Sequence, residues 1–404
     1  MTLECTAMAI RILHVDLDAF FVEVCRQQQP ALRGVELLVV GGRRESRGVV
    51  QSASYGARKF GVRSGMPIGQ AVRLCPDATF VRGEFAHYRA ASRAVRRVLE
   101  EHAPLVVMTG LDEGYLDFSG TDLLHPVSLL GVATTIRHAV SAAAGLDCSI
   151  GIGPNRMIAK LASDYAKPRG ICEVREGWEE RFVAGLPLAA LPGIGPKSSR
   201  RLQELGLENV AQVQAMAVEE LARLLGREEA AALARRATGR GGLTLRPHGV
   251  PKSVSRETTF GRDVRTLAEL DRVLLLLTAR MAGQLRDEGL VAGAVVLKLR
   301  HGDFVTVTRR KSLPSPSAFD DELIAAARGL LGPAFNAAAA RRQGVRLLGI
   351  AASSLTPAEA PDLFESADRG RRREVVRAVD AVRARFGFEA LQSGRLVQPP
   401  ERPD

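Results

Sequence analysis

The amino-acid sequence predicts an α+β protein built of several domains, and three observations carry that reading. Strand-like and helix-like segments alternate as far as residue 185 with no repeating phosphate loop. The next segment, 186–238, is helical in pattern throughout, and a second alternation of strands and helices fills 253–355. At 404 residues the chain is also longer than one ordinary hydrophobic core can serve.

The elements follow from local pattern. Residues 13–18 alternate strictly, Leu13, Val15 and Leu17 apolar against His14, Asp16 and Asp18 polar, which predicts a half-buried strand with both aspartates on one face. A helix over 20–27 stops before Pro30. A strand over 36–40 ends at Gly41-Gly42, and a further run begins at 48–50. Residues 85–102 are helical and rich in Arg and Ala. The apolar runs 105–108 and 115–118 flank Gly110-Leu111-Asp112-Glu113-Gly114, which predicts two strands joined at a tight bend. A helix over 127–144, a strand over 149–152 and a helix over 155–165 complete the first alternation. The stretch 239–252 (GRGGLTLRPHGVPK) has the composition of a linker. Beyond it come strands at 291–299, 304–308 and 345–351 with helices near 266–287 and 317–332. The tail after Thr356 opens in a loop with two prolines and turns helical around 371–386.

Hydrophobic residues at 46% and charged residues at 25% are the balance of a soluble globular protein. The net charge of +11 points to a polyanionic partner, nucleic acid before others. Residues 240–311 hold 14 Lys and Arg against 7 Asp and Glu, a net +7 in 72 residues, so the excess is concentrated as a binding face requires. The five cysteines have no paired spacing, which indicates neither a disulfide framework nor a zinc site and fits a reducing cytoplasm. No signal peptide precedes the first strand, and the longest leucine run, 274–277, is too short to span a bilayer.

The acidic residues are the chemical signal. Asp112 and Glu113 are adjacent and would point to opposite faces of a regular strand. A bend flanked by Gly110 and Gly114 lets both serve one site. With Asp16 from the neighbouring segment they form a hard-oxygen set suited to Mg²⁺. An Asp-x-Asp on its own is more often a turn or capping feature. Tyr55 and Arg58, three apart, share one helix face, which without other support reads as a solvated basic face. Leu191-Pro-Gly-Ile-Gly-Pro-Lys is a helix-hairpin-helix signal: Gly193 and Gly195 permit a tight turn, and N–H groups at the next helix start can hold a phosphate. Its plain alternative is a Gly-rich turn between helices.

HVDLDAFFVEV from His14, ASYGARKFGVRSGMP from Ala53, LDEGYLD from Leu111 and GIGPNRMIAKLASDYAKPRG from Gly151 resemble the signature segments of Y-family DNA polymerases, most nearly the bacterial polymerase IV (DinB-like) type. The resemblance continues through LPGIGPKSSRRL from Leu191, PKSVSRETTF from Pro251 and RLLGIAASSL from Arg346, in the family's order. It implies a right-hand polymerase: palm over 10–19 and 86–174, fingers over 20–85, a helical thumb over 175–238, the 239–252 linker, an α+β little finger over 253–355, and a tail over 356–404. The implied activity is template-directed DNA synthesis of low fidelity past damaged bases, without proofreading, by a cytoplasmic monomer that touches no membrane. The implied cofactor is a pair of Mg²⁺ ions, replaceable by Mn²⁺, on Asp16, Asp112, Glu113 and the main-chain carbonyl of Leu17. They would activate a primer hydroxyl and clamp the leaving pyrophosphate.

By position, Phe21 matches the steric gate that excludes a ribose 2′-hydroxyl, with Phe20 beside it; its alternative is a core aromatic. Ser52, Tyr55 and Arg58 match fingers residues holding the dNTP triphosphate, and Lys167 the palm lysine reaching the same phosphates. Val49 and Gly65 match positions over the nascent base pair. Gly193, Gly195 and Lys197, with Lys252, Arg256, Arg309, Arg310 and Lys311, match a non-sequence-specific grip on primer-template DNA. Leu363 and Phe364 resemble the end of a sliding-clamp peptide, but Ala360 and Pro361 replace its usual Gln and first Leu, which implies weak binding.

Gly110 and Gly114 depart from the family's usual Ser and Ala, which adds backbone freedom beside the metals and puts catalytic efficiency in question. Cys25 stands where Glu is common, and Gly56 where a larger residue is usual. Two rivals remain: a weak or inactive family member serving as a DNA-binding adaptor in repair, which the three retained carboxylates argue against, and a repair factor using the hairpin motif alone, which leaves the acidic segments unexplained.

Overall fold

The computed structural model describes residues 10–121, 123–125, 128–242, 245, 249–339, 343–358 and 367–391. In chain order the elements are β1 (Ile12–Leu17), α1 (Phe20–Gln28), β2 (Leu38–Val40), β3 (Ser52–Ala53), α2 (Tyr55–Lys59), α3 (Ile68–Leu74), β4 (Thr79–Val81), α4 (Phe85–His102), β5 (Leu105–Met108) and β6 (Glu113–Asp117). Then come α5 (Leu130–Ala144), β7 (Cys148–Gly153), α6 (Arg156–Tyr165), β8 (Ile171–Glu173), α7 (Glu179–Ala184), α8 (Pro196–Glu204), α9 (Val210–Gln214), α10 (Val218–Leu225) and α11 (Arg227–Ala237). The last are β9 (Ser253–Val264), α12 (Leu267–Asp287), β10 (Leu290–His301), β11 (Thr306–Ser317), α13 (Asp320–Ala339), β12 (Val345–Pro357) and α14 (Ala367–Phe386). The chain divides into two compact units, Met1–Pro247 and His248–Asp404.

In the first unit a five-stranded sheet of order β5-β6-β1-β7-β8 places β1 at its centre, antiparallel to both neighbours. That position corrects the expected half-buried strand. Leu13, Val15 and Leu17 enter the core with Phe20, Leu99, Leu116 and Ile136, while α6 packs on β1 and buries His14 fully. His14 Nδ1 meets Ser163 Oγ of α6 at 2.7 Å, so the polar ring is buried with a partner. Helix α6 starts where it does because the Asn155 side chain accepts the Ile158 N–H at 3.0 Å. It lies close on β7 because Gly151 has no Cβ: one there would stand 2.0 Å from the Ala159 carbonyl oxygen.

The expected second strand at 48–50 is also corrected. Val49 makes only an isolated bridge to Pro67, and the strand forms at Ser52–Ala53 instead, in a three-stranded sheet β3-β2-β4 around Val39, Val50, Ala57 and Ile68. Helices α7 to α11 close over Leu188, Leu202, Leu221 and Leu233.

The second unit is a four-stranded antiparallel sheet, β11-β10-β12-β9, with α12 and α13 packed on one face over Leu274, Met281, Leu297, Leu323 and Ile350. The Thr266 side chain caps α12 by accepting the Glu269 N–H. Helix α14 is joined to this unit by Arg286, which donates to both Asp380 oxygens at 2.6 and 2.8 Å. Residues 243, 244 and 246–248 of the linker stretch lie outside the described residues, as do Leu363 and Phe364.

Candidate active site

The β1–β6 register sets Asp16 opposite Glu113, and opposed residues of an antiparallel pair share a face. Asp112 lies in the bend before β6, and its carbonyl accepts the Leu17 N–H at 2.8 Å, fastening it to the end of β1. The N–H groups of Thr109 and Gly110 close the bend on the Glu113 carbonyl at 3.1 and 3.3 Å. Neither Gly110 nor Gly114 has positive φ, so the bend does not depend on glycine's conformational freedom, contrary to the sequence expectation. A Cβ on Gly114 would lie 2.8 Å from Met108 Sδ on β5, the flexible end of a side chain that can shift.

Two lysines attend the acids. Lys167 Nζ is 2.8 Å from Asp16 and 2.9 Å from Asp164, and Lys160 Nζ is 2.5 Å from Glu113. Glu113 also receives Thr109 Oγ1 at 3.2 Å and has His14 Nε2 at 3.5 Å, the outer limit of a hydrogen bond. His14 and Lys160 hold its carboxyl well below the usual range despite burial. Asp16 and Asp112 go the other way. Burial raises Asp16 against the pull of Lys167. Burial, then the Asp16 charge, raises Asp112. Burial, and for Asp112 the neighbouring Asp16 charge, disfavour their ionised forms, and three clustered carboxylates are the hard-oxygen donors a divalent cation takes. Among the described residues no group of three or more acids, His or Cys already stands in metal-holding geometry; Asp16 and Glu113 are each paired to a lysine instead.

Asp18 keeps the face that period two gives it: β1 ends at Leu17, but Asp18 accepts from Ser149, which stands opposite Asp16 in the β1–β7 register, and also from Tyr55 and Arg169. Phe20 is buried in the core, so its main chain is what it can offer a nucleotide. Phe21 is part-buried and stands edge-on to Tyr88, ring centroids 4.7 Å apart. Tyr88 is fully buried, its hydroxyl 3.2 Å from Cys25 Sγ, and its space exists because residue 83 is glycine. Ser52 is buried, Tyr55 is at the surface, and Arg58 donates Nε–H to the Ala53 carbonyl while its guanidinium lies 5.0 Å over the Tyr55 ring. Val49 is exposed, and Gly65 has φ +80° with open space where a side chain would be. Lys160, Ser149 and Tyr88 are not singled out by the sequence, which places Asp18 on the face of Asp16 but gives it no role. Lys160 falls within the Gly151 segment; the others are recognised only through partners distant in the chain.

Gly193 occupies the left-handed region at φ +89°, beside the Arg236 guanidinium, and Gly195 at φ −81° caps α8, whose first turn carries Lys197. In the second unit Lys252, Arg256, Arg309, Arg310 and Lys311 are all exposed, and all but Lys252 lie on the edge strands β9 and β11. They do not share one face. Arg256 and Arg309 oppose buried Ile350 and Leu297 on the helix-covered side, and Lys311 opposes buried Val295 there, while Arg310 opposes Val296 on the other. No helix of the described residues is long and apolar enough to cross a membrane.

The fold is that of Y-family polymerases. The Y-family DNA polymerase chimera Dbh-Dpo4(243-245)-Dbh matches with a TM-score of 0.72 at 25% identity, over 86% of this chain and 99% of its own. An insertion ternary complex of Dbh DNA polymerase matches with a TM-score of 0.58 over 86% of this chain and all of that one. Residues 15–164 match the impB/mucB/samB family and residues 251–363 its C-terminal domain. DNA polymerase IV of Dehalococcoides mccartyi strain CBDB1 is 38% identical over 96% of this chain and 98% of its own. That of Caulobacter vibrioides is 34% identical over 96% and 94%. The chain belongs to the Y family of DNA polymerases, in its DNA polymerase IV group.

Proposed function

We propose that this polymerase copies primed DNA, damaged template included, using two Mg²⁺ ions held by Asp16, Asp112, Glu113 and the Leu17 carbonyl. The observation that carries the assignment is the register opposing Asp16 to Glu113, with Asp112 tied to the Leu17 N–H. When bound, Mg²⁺ supplies activation of the primer hydroxyl and neutralisation of the leaving pyrophosphate. The protein's own groups do the rest. Arg58 orients the triphosphate with its directional fork, Lys167 gives up Asp16 to neutralise phosphate, Ser52 completes the contact, and Tyr55 lines the site with its hydroxyl held by Asp18. Phe21, backed by Tyr88, excludes the 2′-hydroxyl, and the Phe20 main chain lies beside it. Exposed Val49 and side-chain-free Gly65 leave room over the nascent pair, consistent with low fidelity.

In this reading residues 10–19 and 86–174 are the palm, 20–85 the fingers, 175–238 the thumb and 253–355 the little finger. The turn at Gly193 and Gly195 with Lys197, and the cations of β9 and β11, grip the duplex backbone. The protein works as a monomer, and Leu363 and Phe364 give weak attachment to a sliding clamp. Primer extension with dNTPs and Mg²⁺ tests the core of this. The wild type should extend and Asp112→Ala should not; absence of extension by the wild type overturns the assignment.

A further inference from the structure

Asp18 is a carboxylate the metal chemistry leaves unused, and it is 5% exposed. A buried carboxylate must be hydrogen-bonded, and three donors from separate segments meet it. Ser149 Oγ lies 3.1 and 3.0 Å from its two oxygens, the Arg169 N–H donates to Oδ2 at 2.8 Å, and the Tyr55 hydroxyl donates to Oδ1 at 2.8 Å. Ser149 is fully buried on β7 and serves as the fixed partner. The other two lead to cations. The Tyr55 ring carries the Arg58 guanidinium at 5.0 Å, and Arg169 follows Lys167 by two residues in the turn after α6. Arg169 sits at φ +55°, a left-handed conformation unusual outside glycine, and its N–H is the one Asp18 receives. Burial and Asp18 both push the Tyr55 phenol well above its ordinary value, so it remains a donor.

We propose that Asp18 is the positioning residue of the triphosphate site, aligning Arg58 through the Tyr55 ring and Lys167 through the Arg169 N–H. It touches no substrate. Its effect is to have two long cationic side chains ordered before the nucleotide arrives, which removes an ordering cost from binding. The inference rests on the polymerase reading above.

The test is single-nucleotide insertion kinetics on primer-template DNA with wild type, Asp18→Asn, Tyr55→Phe and the double variant, alongside DNA affinity and melting temperature. Asparagine keeps the size of Asp18 but turns one acceptor oxygen into a donor, so Tyr55 or Arg169 loses its partner. The expected result for Asp18→Asn is a dNTP KM higher by roughly tenfold, the scale of one charge-assisted hydrogen bond. Its kcat should change less than about twofold if the loss lies in nucleotide binding. The preference for dNTP over rNTP should stay unchanged, because both carry the same triphosphate. The double variant should fall short of the product of the singles. An unchanged KM in folded Asp18→Asn, or full multiplication of the two effects, overturns the inference while wild-type extension leaves the polymerase reading intact. If Asp18→Asn does not fold, Tyr55→Phe carries the test: a KM equal to wild type overturns it.

Discussion

At the scale of single residues the acids separate by the sign of their perturbation. Glu113 has its carboxyl lowered by His14 and Lys160, so it adds stability above the unfolded-state value, and that contribution disappears as pH falls through the lowered one. Asp16 and Asp112 are raised by burial, so each costs stability that sets in as pH rises through the unfolded-state value, is complete above the raised one, and is nil where both states are protonated. Asp112→Asn removes that cost without changing size. At neutral pH without divalent metal it should melt higher than wild type by roughly 2–4 °C, the response to a small gain in stability, while losing polymerase activity. Adding MgCl₂ should raise the melting temperature of wild type more than that of the variant. Equal metal-free melting temperatures in calorimetry would show that Asp112 is not held against its own ionisation. The sequence made the three acids legible because Asp16 alternates within a strand and the other two sit in a Gly-flanked run. Period two also places Asp18 on the face of Asp16, and Ser149, opposite Asp16 on β7, bonds it there; what the sequence hides is that partner, 131 residues away.

At the scale of elements, legibility followed burial. Segments with one apolar stripe, such as α4 and α6, or a continuous apolar run, such as β5, show their period in sequence. Strand β9 does not: SVSRETTFGRDV is mostly exposed at a sheet edge, so no alternation marks it and it was not predicted. Strand β11 was predicted only to Thr308, because RRKSLPSPS carries charge and two prolines; an edge strand tolerates both, since its outer N–H groups need no partner. The α6–β7 packing is the element contact on which the site most depends, for α6 brings Lys160 to Glu113 and Ser163 to His14. Gly151 permits it. A Cβ at 151 would meet backbone at Ala159 and Ser163, which no rotamer change relieves. Gly151→Ala should therefore destabilise the protein by about 3 kcal/mol, as overpacking of a tight interior does, with chemical denaturation as the measurement. A loss under about 0.5 kcal/mol, the size of an ordinary surface change, would mean α6 can move off the sheet freely.

At the scale of the whole molecule, the charge of +11 is concentrated where the second unit begins, and the register decides how it can be used. Arg309 and Arg310 are neighbours in β11 and point to opposite faces, so a flat basic face is not what the sheet offers. The cations line its two edges, β11 and β9, where long exposed side chains can turn toward phosphates. Contacts of that kind read phosphate spacing rather than base sequence, as a polymerase moving along arbitrary template requires. Each phosphate contact releases counterion, so the number of cations engaged can be measured. Replacing Arg256, Arg309, Arg310 and Lys311 with alanine should weaken primer-template binding on any sequence. The log–log salt dependence should become shallower by about 0.9 for each cation that truly meets a phosphate. Single-nucleotide kcat at saturating DNA should hold, because these residues belong to the second unit and the acids to the first. A salt slope unchanged by all four substitutions would remove the edges from the DNA interface and leave the grip to the turn at Gly193 and Lys197. A slope change confined to Arg310 would instead assign the contact to the open face of the sheet, since Arg256, Arg309 and Lys311 share the other.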